Sequence, residues 1–322
     1  MEFKHAFVFP GQGSQFTGMG KELFEESSVA REVFEEVNDA LKERLSDLIF
    51  EGSQEDLTKT SNTQPALFAV SMAVLRVLEK EGGFSISEKA SALAGHSLGE
   101  YAALAAAGAL SISEGAHLLR LRGEAMQSAV PSGKGGMAAI LGISHEQALE
   151  MCDTLKTFGR IEIANDNGGG QIVLSGDLLP IEKSLILGKE KGAKKTVLLA
   201  VSAPFHSSLM HPAAEKMSEA FSQLTWEGHM SPVWANITAQ PEHDIAKVPD
   251  LLTRQITGSV RWRETIESFV KDGITHHHEL GAGKTLTGLA KRIDSSLQND
   301  KACTMQEIEA MLERIFNPTE KV

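Results

Sequence analysis

The chain has 322 residues, which exceeds one ordinary core and points to two domains or one domain with an insertion. Its formal charge of −12 argues against general binding to nucleic acid or to membrane surfaces, and its two cysteines, Cys152 and Cys303, stand in no motif and exclude a disulfide framework. The apolar run Phe3 to Phe9 lacks the basic region and cleavage site of a secretory signal, and no segment has the length to span a bilayer, so a soluble cytoplasmic protein is expected.

Taken in order, His5 to Phe9 is predicted to be a strand that runs into the turn Pro10-Gly11-Gln12-Gly13-Ser14, with amphipathic helical segments following to about Leu48. A helix over Gln64 to Glu79 precedes a small-residue strand, Ala90 to Ala94, which enters Gly95-His96-Ser97-Leu98-Gly99 and then an Ala-rich helix from Glu100 to Leu110. The next helix spans Ile112 to Gln127. Near Pro131 to Gly136 a Pro/Gly/Ser stretch reads as a linker. Beyond it come a strand at Met137 to Leu141, a Ser144-capped helix to Leu155 and a strand at Ile161 to Asn165. A glycine turn leads to a hairpin strand at Gln171 to Ser175, followed by a helix over Asp177 to Lys191 and a strand over Lys195 to Ser202.

That order, β-α-β-β-α-β, is the pattern of a ferredoxin-like unit. Afterwards the helix-strand rhythm resumes: a helix over Pro212 to Leu224, a strand at Val233 to Asn236, a helix over Trp262 to Lys271, a strand at Thr275 to Leu280, and a helix from the loop Gly281-Ala282-Gly283-Lys284 to about Leu297. The fold class is therefore α/β: a large α/β-hydrolase-like domain with a mostly parallel sheet (residues 1–130 and 203–322), interrupted by a small ferredoxin-like domain (131–202). Ligands in such sheets bind at the carboxyl ends of the strands, where Gln12 and Ser97 both fall.

The stretch around Ser97 has the form of a nucleophile elbow, with glycines that let backbone and helix pass closely while the hydroxyl projects at a helix start. A serine needs a base within reach. Of eleven histidines, His96 is directed away from its neighbour and suits a structural hydrogen bond under the elbow. His276-His277-His278 alternates across a strand, which disfavours a metal and suggests a half-buried strand with two exposed imidazoles. His206 lies where the chain re-enters the large domain, and is the candidate base or else a loop residue capping the next helix. An oxyanion hole could use the N–H of Leu98 and one from the Gly11-Gln12-Gly13 loop, which could equally be a plain tight turn. On the Ile112 helix, Arg120 faces Glu124 as a surface pair, while Arg122 lies in the partly buried sector and needs an anion from the protein or from a substrate.

Together these stretches resemble the malonyl-CoA:acyl carrier protein transacylases and the related acyltransferase domains of polyketide synthases. The resemblance rests on Phe9 to Gln15, Gly95 to Tyr101, Arg122-Gly123 with Met126-Gln127, Asn165 with Gln171 to Gly176, Ala203 to Ser207, Val260-Arg261-Trp262 and Leu286 to Leu289. It implies an acylated Ser97, His206 as its base oriented by the main-chain carbonyl of Gln255, oxyanion donors at Gln12 and Leu98, and Arg122 as anchor for a malonyl carboxylate. It also implies substrate contacts at Gln12, Met126, Phe205 and Asn165, malonyl-CoA and acyl carrier protein as partners, and neither cofactor nor metal. Ser259 and Gly281-Ala282-Gly283 depart from the family's frequent Pro and Gly-Pro-Gly, which bears on the rigidity of the loops near Gln255 and Lys284.

A docking patch for the acidic carrier protein is expected from Lys189, Lys191, Lys194, Lys195, Lys284 and Arg292, against the plainer reading of a solvated charged face. A monomer is expected. The competing functions are a serine thioesterase or esterase, whose histidine usually falls later in the chain, and a carrier-protein scaffold that has lost activity.

Overall fold

The computed structural model describes residues 3–201, 203–226, 228 and 230–318. Two sheets organise it. The larger contains β1 (His5–Phe9), β2 (Ala90–Gly95), β7 (Val233–Ala235), β8 (Gln240–Glu242), β9 (His276–Leu280) and β10 (Gln298–Ala302) in the order β10-β9-β1-β2-β7-β8. All neighbours are parallel except β8, which pairs antiparallel to β7. Parallel strands joined by helical crossovers are covered on both faces, and all five residues of β1 are accordingly buried. The smaller sheet holds β3 (Gly135–Leu141), β4 (Ile161–Asp166), β5 (Gln171–Asp177) and β6 (Lys195–Leu198) in the antiparallel order β4-β5-β3-β6, with helices His145–Leu155 and Leu178–Glu190 completing the ferredoxin-like β-α-β-β-α-β unit.

The core follows this division. Phe7 and Phe9 point from β1 into a large cluster with the helix Thr60–Gly82, while Ala6 and Val8 face a second cluster with Trp262, Ile266, Phe269 and Leu289. A third cluster, including Ile140, Met151 and Leu174, fills the small lobe. Among the described residues no helix is long and apolar enough to cross a membrane.

Several expectations need correction. The strand predicted over Lys195 to Ser202 ends at Leu198, and Ser202 lies outside the described residues, as do 1–2 and 319–322. Gly135 and Gly136, read as linker, already pair in β3 against Asp177 and Gly176. The helix predicted to Leu224 stops at Phe221, and the one predicted to Leu297 stops at Ile293. A helix at Val248–Thr257, β10 and a helix at Met305–Phe316 were not foreseen.

His276, His277 and His278 are each no more than 1% exposed, because β9 lies between β1 and β10 with helices over both faces. His278 Nδ1 and His5 Nδ1 enter a chain in which His5 meets His278 Nε2 at 2.9 Å and His278 meets Asp300 Oδ1 at 2.6 Å. No cluster of metal-ligating side chains occurs among the described residues. Arg120 also departs from expectation: it pairs with Glu43 and donates to Ser61 O and Asn62 Oδ1, since the start of the Thr60–Gly82 helix packs closer to it than Glu124 does.

Candidate active site

Between β2 and the helix Gly99–Ala106 the chain reverses within three residues, and the space allows nothing larger than glycine at either end. A Cβ on Gly95 would lie 1.9 Å from the Gly99 carbonyl, and one on Gly99 would lie 2.2 Å from Phe9 O. Ser97 sits at φ 54°, a left-handed conformation that costs a non-glycine residue roughly 1–2 kcal/mol. Asn236, at the end of β7, holds it there: its Oδ1 accepts from Ser97 N at 2.7 Å and its Nδ2 donates to Gly95 O at 2.7 Å. His96 turns away as expected and meets Asn167 Oδ1 at 2.8 Å.

Ser97 Oγ lies 2.7 Å from His206 Nε2, and His206 Nδ1 lies 2.9 Å from the main-chain oxygen of Gln255. A carbonyl can only accept, so Nδ1 carries the ring proton and Nε2 is left bare to receive the serine proton. His206 is 4% exposed; burial, with the neighbouring Arg122 charge added to it, pulls its pKa down to about 3. The imidazole is therefore neutral and basic in form at any ordinary pH. No carboxylate hydrogen-bonds to this ring among the described residues, in contrast to the acid-His pairing of hydrolases on this kind of elbow.

Arg122 approaches the same hydroxyl from the helix Ile112–Ser128. Its side chain is 1% exposed; Nη1 donates to Gln64 Oε1 at 2.7 Å, and Nη2 donates to Gln255 Oε1 at 2.9 Å and to Ser97 Oγ at 3.1 Å. Tyr101 offers its ring face 5.7 Å from the guanidinium carbon. No ion pair to Arg122 forms among the described residues, so its protein partners are two neutral amides and a hydroxyl. Glu100, buried beneath the elbow, is the acid of this neighbourhood. Burial raises its carboxyl to about 7, opposed by the N–H of Asn236, the Gln255 amide and the Arg122 charge.

These groups open onto a cavity of about 370 Å³ between the two sheets. Gln12, Leu98, Met126, Asn165 and Phe205 all line it, so every residue singled out from the sequence for chemistry or substrate contact borders this space or, like Gln255, bonds to a group that does. Leu98 N stands at the start of the Gly99–Ala106 helix, and neither it nor Gln12 N donates to another group among the described residues. Both N–H groups are thus available to a developing oxyanion. Sequence reasoning missed the side chains of Gln64, Gln255 and Asn236 and the carboxyl of Glu100. Gln64 carried a readable signal, being the polar residue directly before the apolar run Pro65 to Val70 of its helix.

Of the cations considered for docking, Lys284 and Arg292 are exposed on either end of the helix Thr285–Ile293, whose Thr285, Leu286 and Leu289 line the cavity. Arg292 packs against Gly169, Gly170 against Gly142, and Gly142 against Lys194, so Arg292 and Lys194 share one rim across the two lobes. Lys189 and Lys195 are exposed, whereas Lys191 is engaged by Glu150 at 2.8 Å.

The model of the acyl transferase domain matches residues 6–293. A malonyl CoA-acyl carrier protein transacylase of Bacillus subtilis is 43% identical over 313 residues, 97% of each chain. The crystal structure of an acyl-carrier-protein S-malonyltransferase from Bartonella henselae superposes with a TM-score of 0.95 at 50% identity, covering 98% of this chain and 100% of that one. A malonyl-transacylase solved in complex with its type II polyketide synthase acyl-carrier protein has a TM-score of 0.92 at 37% identity, over 97% of this chain and 99% of that one.

Proposed function

The chain belongs to the acyl transferase family, among its malonyl-CoA:acyl carrier protein transacylases, and from that premise we infer how its residues move a malonyl group from malonyl-CoA to the phosphopantetheine thiol of acyl carrier protein in fatty acid biosynthesis. Ser97 attacks the thioester carbonyl while His206 Nε2 takes its proton. The negative charge that develops on the carbonyl oxygen is met by the N–H groups of Gln12 and Leu98. Collapse expels CoA, whose sulfur receives the proton from His206, and leaves malonate esterified to Ser97. The carrier-protein thiol then gives its proton to His206 and attacks the ester, and Ser97 recovers the proton as it leaves.

The observation that carries this reading is the buried guanidinium of Arg122, which makes no direct ion pair among the described residues and lies 3.1 Å from the Ser97 hydroxyl. A buried cation is stabilised only when paired, and its planar fork fits a carboxylate with two parallel bonds. A malonyl group supplies that carboxylate at the distance of one methylene from the reacting carbonyl. Met126, Phe205 and Asn165 border the acyl group, and the main-chain oxygen of Gln255 keeps His206 in the productive tautomer. An esterase would have no use for an unpaired buried cation beside its nucleophile.

Hydrogen bonds to a charged group contribute about 1.5–3 kcal/mol each, so losing two corresponds to a rate loss of roughly two to four orders of magnitude. Arg122→Ala is expected to lower Ser97 malonylation by that factor while acetylation from acetyl-CoA falls less than about threefold. Equal losses for both acyl groups would refute the anchor role.

The carrier protein docks, on this reading, across the rim that holds Lys284, Arg292 and Lys194, with Lys189 and Lys195 extending it and Lys191 turned to Glu150. The small lobe is taken as an insertion of residues 131–202 in a large domain of 1–130 and 203–322. Because every group named comes from a single chain, the unit of activity is taken as the monomer.

A further inference from the structure

Beneath the cavity floor, one carboxyl group that the reaction does not use ties three segments together. Glu100, in the first turn of the elbow helix, is 2% exposed. Its Oε2 accepts from the main-chain N–H of Asn236 at 3.0 Å and from the side-chain NH₂ of Gln255 at 2.8 Å. That same NH₂ donates to the carbonyl of Ser97 at 3.0 Å. The Ser97 carbonyl can only accept and the Arg122 guanidinium can only donate, so the amide has its NH₂ toward Ser97 and Glu100 and its oxygen at the other end, where it accepts from Arg122 Nη2 at 2.9 Å. In the reversed orientation the amide oxygen would face a carboxylate and a carbonyl, and its NH₂ would face a guanidinium.

We propose that Glu100 is a positioning residue for acyl-group choice: it fixes the Gln255 side-chain amide with its oxygen toward Arg122, and thereby holds the guanidinium where an acyl carboxylate meets it. The inference rests on Arg122 being the malonyl anchor. Gln255 then serves the site twice, with its main-chain oxygen on His206 and its side-chain oxygen on Arg122, and only the second service passes through Glu100. A carboxylate at position 100 binds the amide N–H more strongly than a neutral group does, so a glutamine there leaves the Gln255 amide held less firmly, by the Ser97 carbonyl and Arg122 alone. A residue that merely braced the elbow would affect all acyl groups alike.

The test is the rate of Ser97 acylation by malonyl-CoA and by acetyl-CoA, followed by quenched-flow intact mass in the full-length protein, its Glu100→Gln and Gln255→Met variants and the double variant. The malonyl-to-acetyl ratio is expected to fall about tenfold in each single variant and no more than about twofold further in the double variant, since both changes break one relay. Equal loss of both rates in Glu100→Gln, or single effects that multiply in the double variant, would overturn the proposal. If Glu100→Gln does not fold, Gln255→Met decides: an unchanged ratio overturns the relay, and a lowered one supports it. Arg122→Ala separates the two levels, because a ratio unaltered there removes the anchor itself, whereas a ratio lowered there but not in Glu100→Gln removes only the role of Glu100.

Discussion

His277 should make the protein lose stability in mild acid, and replacing it should abolish that part of the loss. Its ring lies on the same side of the sheet as Ala6, its register partner, toward the apolar layer of Trp262, Ile266 and Leu289, and neither ring nitrogen has a hydrogen-bond partner among the described residues. Burial pulls its pKa down to about 3, with the His278 charge adding to the effect. A histidine held below its unfolded value of about 6.5 binds fewer protons folded than unfolded. Its contribution is therefore intact above pH 6.5 and is lost as pH falls toward the folded value. At pH 5 the unfolded ring is almost fully protonated and the folded ring is not, which favours unfolding by about 2 kcal/mol relative to pH 7. With roughly 2.1 cal/mol/K of unfolding entropy per residue over 322 residues, that is a fall in melting temperature of about 3 °C from this ring alone. Thermal melts of the native chain and of His277→Leu at pH 7 and pH 5 give the quantity directly. The native chain should lose about 3 °C more between the two conditions than the variant does. The same loss in both, within about half a degree, would refute the reasoning and place a protonated or solvated ring in the folded state.

Two further outcomes follow from the site and its rim. Because His206 is held near 3 with its Nδ1 proton on Gln255 O, kcat/KM for acetylation of Ser97 by acetyl-CoA, which has no carboxylate for Arg122 to anchor, should stay flat from about pH 8 down to about pH 5.5, and an inflection near 6.5 would show an ordinary, solvated base instead. Arg292→Glu combined with Lys284→Glu should raise KM for acyl carrier protein several-fold at low salt while leaving the first half-reaction with malonyl-CoA unchanged; an unaltered KM would remove the rim as the docking surface.

What the sequence disclosed depended on whether residue type or backbone did the work. β1 was legible to the residue because four of its five positions are apolar and all five are buried, and the elbow was legible because only glycines tolerate the approach of Gly95 to Gly99. His206 could be placed by its position at the return from the insertion, but its orienting partner is a main-chain oxygen, which any residue carries. Only the family resemblance pointed to Gln255. Its helix, Val248–Thr257, is not predicted, although Pro249 in its first turn and the apolar Val248, Leu251, Leu252 and Ile256 suit a helix buried on one face. β10 was hidden by its composition, Gln298-Asn299-Asp300-Lys301, which suits a sheet edge and shows no apolar alternation. The three consecutive histidines misled for the opposite reason: polarity argues for exposure, yet β9 sits inside the sheet, and the buried Asp300 that accepts from His278 comes from the unread β10.

The account stands or falls on whether Ser97 carries a transferable malonyl group. Intact-mass analysis after a brief incubation with malonyl-CoA should show one added malonyl, mapped to the peptide containing Ser97 and absent from Ser97→Ala, and added carrier-protein thiol should discharge it far faster than buffer does. An unmodified Ser97 under these conditions, or an ester that water removes as quickly as the thiol, would contradict the account.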